Sequence, residues 1–87
     1  MVNQFILKEF GNRIRFLRNE KNLSQEELSF ITGFHRTYIG MIERGERNIS
    51  LTNILVFAKV FEMDVSELLD FKGQNPKINY KDYQLKN

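Results

Sequence analysis

The sequence predicts an all-α protein of five short helices followed by a C-terminal tail. Three observations carry that expectation. Apolar residues recur at spacings of three and four, two segments open on a Ser/Asp-x-x-Glu signature, and no stretch alternates with period two. The chain has 87 residues, 41% of them apolar and eight of them Phe, enough for one modest core. Residues 1–71 are assigned to that domain and residues 72–87 to the tail.

In the first helix Phe10, Ile14 and Leu17 share one face, which extends backward through Ile6. Asn22 and Leu23 end it. Ser24 opens Ser-Gln-Glu-Glu, a capping box in which the Ser hydroxyl accepts a free N–H and Glu27 reaches back. Leu28 and Ile31 form the inward face of this second helix. Gly33 suits a left-handed turn before a third helix that carries Ile39 and Ile42 inward and ends at Gly45. Ser50 caps a fourth, with Leu51, Ile54, Leu55, Ala58 and Phe61 at helical spacing. Asp64-Val65-Ser66-Glu67 repeats the capping-box pattern before Leu68 and Leu69.

Composition excludes whole classes of chemistry. There is no Cys, so thiol catalysis, disulfide scaffolds and zinc ribbons are excluded, and one His makes no metal cluster. No Gly-rich loop with a Lys cradles phosphates, and Glu26 and Glu27 diverge by about 100° around a helix, so they form no catalytic carboxylate pair. The expectation is a non-enzyme without cofactor or small-molecule ligand. No stretch is long and apolar enough to span a membrane, and the N-terminus lacks a signal peptide's basic region, so the chain is expected in the cytoplasm. Charge is uneven: net +2 over residues 11–50, −3 over 51–71 and +3 over 72–87. The tail, with Tyr80 and Tyr83, reads as flexible ahead of a docking arm.

Residues 25–43 are the informative stretch. Ser29 is small enough for two helices to approach, Gly33 makes the turn, and Phe34, Ile39 and Ile42 seal the joint against the other helices. LSQEELSFITGFHRTYIGMIERGERNIS resembles the helix-turn-helix of the Xre family, related to phage Cro and repressor proteins. Within it, RTYI and IERGERNIS are most similar to the controller proteins of restriction–modification operons. The resemblance spans about residues 10–71 and implies a lambda-repressor-like, DNA-binding five-helix domain.

The chemistry of the motif agrees with that implication. The third helix of such a fold enters the major groove by its N-terminal turn, where Arg36 and Thr37 stand. Arg36 can donate twice to guanine O6 and N7, and Thr37 offers a hydroxyl and a methyl. Gln25, at the start of the second helix, is a phosphate candidate. Tyr38 divides evenly between a phosphate contact and ring packing. By resemblance to the controllers, Arg47 reaches bases and Asn48 the backbone, with Arg44 a weaker phosphate candidate.

Other features read as structure. His35 reads as a weak helix cap ahead of a DNA contact or pH switch. Gly40 suits close packing or close approach to DNA. Arg13, Arg15 and Arg18 form a basic run, some of which is expected to pair with Glu43 or Glu20 rather than touch DNA. Phe16 and Phe30 fall off the main stripes. One module reads too few base pairs for selectivity, so a homodimer on pseudo-twofold half-sites of double-stranded DNA is expected. The family dimerises through its last helices, which makes Phe61, Leu68, Leu69 and Phe71 the candidate interface, although core is the stronger reading of Leu68. RNA polymerase is a further partner only if the protein activates, and Glu26 and Glu27 read first as solvated charge. A phage-type repressor, or an antitoxin whose tail binds a protein, is the alternative to a controller.

Overall fold

The computed structural model describes residues 4–73. They form α1 (Gln4–Glu20), α2 (Gln25–Thr32), α3 (Arg36–Glu43), α4 (Leu51–Val60) and α5 (Val65–Leu68), followed by a 3-10 turn (Phe71–Gly73). The expectations for residues 74–87, including Tyr80 and Tyr83, lie outside the described residues.

The helix boundaries follow local chemistry. Asn22 adopts a left-handed φ of 56° after α1, a conformation its short polar side chain tolerates. Ser24 Oγ accepts from Glu27 N–H at 3.0 Å, and Glu27 Oε1 accepts from Ser24 N–H at 2.8 Å, closing the capping box. Gly33 ends α2 at φ 79°, with its N–H on Ser29 O at 2.9 Å. A Cβ there would meet nothing within 4 Å, so the backbone angle alone favours glycine. Ser50 Oγ caps α4 through Asn53 N–H at 3.2 Å, and Glu67 Oε1 accepts from Asp64 N–H at 2.9 Å before α5.

One boundary is strained. Glu62 closes α4 at a left-handed φ of 56°. A side chain costs about 1–2 kcal/mol there, and glycine gives part of that back as unfolded-state entropy. Glu62→Gly is therefore expected to stabilise the fold by about 0.5–1 kcal/mol, read as a higher denaturation midpoint at unchanged slope.

The core joins all five helices through Phe10, Ile14, Leu17, Leu28, Ile39, Ile42, Phe57, Ala58, Phe61, Leu68 and Phe71. Phe57 is its hub. Its ring meets Phe10 edge-on at 6.2 Å, Phe34 at 5.3 Å and Phe61 in a stack at 6.4 Å. At Gly11 a Cβ would collide with Ile42 O and lie 2.7 Å from Glu43 O, so this glycine lets α1 sit directly on the end of α3.

Three positions depart from the sequence reading. Ile31, Leu51 and Leu55 are 55%, 74% and 46% exposed rather than inward. The segment from Leu51 to Phe61 is apolar on most sides, so spacing alone does not select its buried face. Packing selects Phe57, Ala58 and Phe61, with Ile54 half-buried. Of the expected dimer interface, Phe61, Leu68 and Phe71 are buried within the chain, Leu68 completely, as its core reading anticipates. Of that set only Leu69 is partly open. Phe16 and Phe30 are exposed, as their positions off the stripes suggest.

Candidate nucleic-acid interface

Helix α3 is anchored by one side and open on another. Ile39, Gly40, Ile42 and Glu43 are buried, whereas Arg36 and Thr37 in the first turn are exposed. His35 Nδ1 accepts from Thr37 N–H at 3.1 Å, so the imidazole serves as the cap that Ser or Asp more often supplies.

Glu43 is the buried charge that orients this helix. Its side chain has no solvent exposure and accepts from Arg18 Nε at 2.7 Å and Arg18 Nη2 at 3.0 Å. Gln25 Nε2 adds a bond at 3.1 Å and Arg15 Nε one at 3.4 Å. Arg18 Nη1 also donates to Leu23 O at 2.8 Å, so one guanidinium ties α1 to α3 and to the link before α2. Arg13 donates to Leu68 O at 3.0 Å and Glu67 O at 2.7 Å, satisfying carbonyls at the end of α5. Arg15 and Arg18 thus pair with Glu43, as expected of part of that basic run, whereas Arg13 binds backbone carbonyls of α5.

Burial pushes the Glu43 carboxyl up, but hydrogen bonds from Arg18, Gln25 and Arg15 and the Arg18 charge outweigh it. The net shift is downward. A carboxyl with a depressed folded pKa contributes stability that is present above its unfolded value, about 4.3, and is lost as pH falls through the folded one. The melting temperature is expected to fall as pH drops from about 5 toward 3, and less steeply in Glu43→Gln. Equal slopes in the two proteins would contradict the assignment.

The phosphate and base candidates gather around α3. Gln25, first in α2, turns its amide onto Glu43, and its Oε1 would lie 3.6 Å from a Cβ on Gly40. The same Cβ would lie 3.1 Å from Arg44 Nη1, so Gly40 is flanked by two side-chain ends rather than by packed backbone. Arg44 forms a forked pair with Glu46, both contacts at 3.1 Å, and that pairing holds the Glu46 carboxyl below its usual range. Tyr38 packs its ring edge-on to Phe34 at 5.3 Å, and its hydroxyl accepts from Asn53 Nδ2 at 3.0 Å. Arg47 Cζ lies 5.2 Å above the Tyr38 ring, a cation–π contact that brings the loop after α3 onto the same helix. Asn48 is exposed in that loop. Arg36 Nη1 lies 3.5 Å from Glu26 Oε2.

Sequence reasoning missed two of these partners. No local signal marks Asn53 as the anchor of Tyr38. The Glu26–Arg36 pair depends on how α2 and α3 cross, which spacing along one helix does not reveal. Among the described residues there is no group of three or more His, Asp or Glu placed to hold a metal ion, and no helix long and apolar enough to cross a membrane.

This arrangement has known counterparts. A helix-turn-helix family model matches residues 14–68. Control protein C.SmaI of Serratia marcescens is 48% identical over 63 residues, covering 72% of this chain and 75% of that protein. The crystal structure of the restriction-modification controller protein C.AhdI from Aeromonas hydrophila superposes with a TM-score of 0.68 at 50% identity, covering 71% of this chain and 94% of that one. The controller protein C.Esp1396I, solved as a tetramer in complex with its natural 35 base-pair operator, gives a TM-score of 0.68 at 31% identity, over 77% of this chain and 92% of that one. The chain belongs to the Xre-type helix-turn-helix family, with restriction–modification controller proteins among its relatives.

Proposed function

We propose that this protein is a sequence-specific transcriptional regulator of the restriction–modification controller kind, binding an operator in its own operon as a homodimer. The observation that carries the reading is the division of α3, with Ile39, Ile42 and Glu43 locked into the core and Arg36 and Thr37 left outward at its N-terminal turn. That turn is the part of a recognition helix that meets base edges. Arg36 and Thr37 read bases and Arg47 assists from the following loop. Gln25, Tyr38, Asn48 and Arg44 fix the register on phosphates, and Gln25 and Arg44 do so by releasing part of their present hydrogen bonding.

Two copies supply the selectivity that one lacks, with recognition helices about 34 Å apart on successive major-groove faces. Half-buried Leu69 of the expected interface, with the exposed Leu51 and Leu55, offers apolar surface to the second copy. The operator-bound tetramer of C.Esp1396I supports assembly on DNA. A mass that stays monomeric at all micromolar concentrations would remove the dimer from this reading.

Titrating the DNA upstream of the protein's own gene against a scrambled duplex at one salt concentration tests the function. A preference above about a thousandfold is expected of a specific regulator. Equal, weak and salt-sensitive binding to both would contradict it.

A further inference from the structure

Arg36 does not stand alone in solvent. Its Nη1 is paired with Glu26 Oε2 at 3.5 Å, which links the first turn of α3 to the first turn of α2. The two side chains are 65% and 61% exposed, so the pair contributes little to folding. It also differs from Arg44–Glu46, which joins neighbours two residues apart in sequence. This one spans two helices and places an anion beside the guanidinium at the outward end of α3.

A carboxylate at that place has consequences that a neutral side chain lacks. It repels phosphate on every DNA sequence. It also directs Arg36 without consuming its capacity to read a base. A guanidinium carries five N–H donors, guanine accepts two of them through O6 and N7, and one is enough to hold the carboxylate. On the right base pair Arg36 can serve both partners. On a wrong one, nothing at the base edge compensates for bringing the carboxylate to the DNA.

We propose that Glu26 is a specificity-determining residue that acts through Arg36, orienting the guanidinium toward guanine and penalising DNA that offers no guanine at that position. The proposal rests on the base-reading role of Arg36, and its test separates the two.

The test titrates a strong operator duplex and a scrambled duplex at one fixed salt concentration with the full chain, using Glu26→Gln, Arg36→Ala and the double variant. Glu26→Gln keeps the shape and an acceptor oxygen but removes the charge, and thermal melting checks that it folds. Affinity for scrambled DNA is expected to rise about tenfold for a dimer while operator affinity changes less than about threefold, so the ratio between them narrows. In the Arg36→Ala background the same substitution should leave the ratio unaltered. A parallel gain on both duplexes, or the same narrowing without Arg36, overturns the role of Glu26 and leaves the role of Arg36 standing. A wild-type ratio in Arg36→Ala alone overturns both.

Discussion

Arg36→Ala is expected to cut the preference for operator over scrambled DNA by about 2–6 kcal/mol in a dimer, at least roughly thirtyfold. Each copy loses one bidentate guanine contact worth about 1–3 kcal/mol of discrimination. Binding to scrambled DNA should weaken far less, because only one charge per copy is removed from the electrostatic contact. Gln25→Ala makes the contrast. Its loss should fall similarly on both duplexes, since a phosphate contact carries no sequence information. Parallel losses from Arg36→Ala would move that residue from base reading to phosphate binding. Its exposure ensures that the effect is not one of folding.

The largest stability effect is expected at Arg18. Arg18→Met removes the bonds at 2.7 and 3.0 Å to Glu43 and the bond at 2.8 Å to Leu23 O, and leaves a carboxylate with no solvent exposure. Breaking a buried pair from one side costs about 3–5 kcal/mol. Gln25 and Arg15 remain on Glu43, so the lower end applies. A loss of about 3 kcal/mol lowers the melting temperature of a domain this size by roughly 12–24 °C. Exchanging both partners, in Arg18→Met with Glu43→Met, should recover much of the loss, because no charge is then stranded. A single variant within about 1 kcal/mol of wild type would show that the network does not hold α3 in place.

These expectations reflect what the sequence made legible. Caps and turns were readable because each depends on a few neighbouring residues: Ser24 with Glu27, Gly33 and Ser50 all do in the structure what their local chemistry requires. Ile14, Ile39 and Ile42 were readable because the helices that carry them have one clear apolar face, whereas in α2 Leu28 is buried and its expected neighbour Ile31 is exposed. In α4 the apolar residues surround the helix, and the hub Phe57 emerges only from packing against Phe10, Phe34 and Phe61. Leu51 and Leu55 look inward for the same reason and are not.

The candidate interface divides similarly. Arg36 and Thr37 could be placed at the outward turn of α3 from register alone. Apart from the local His35 cap on Thr37, the contacts around that turn join different elements, namely Glu26 with Arg36, Asn53 with Tyr38, and Arg47 over the Tyr38 ring. Glu43 shows an intermediate case. An acid beside Ile39 and Ile42 on the buried stripe demands a cationic partner, and three arginines on the first helix were at hand, but the share taken by Arg18 required the structure.

The central claim is that the N-terminal turn of α3 reads guanine from the major groove through Arg36. Methylation interference on the operator tests it most directly, because dimethyl sulfate modifies guanine N7, the acceptor assigned to the guanidinium. A modified guanine at two symmetric positions, about one helical turn apart, is expected to block wild-type binding, and Arg36→Ala is expected to lose this sensitivity. Binding that tolerates methylation at every guanine, or interference unchanged in Arg36→Ala, would contradict it.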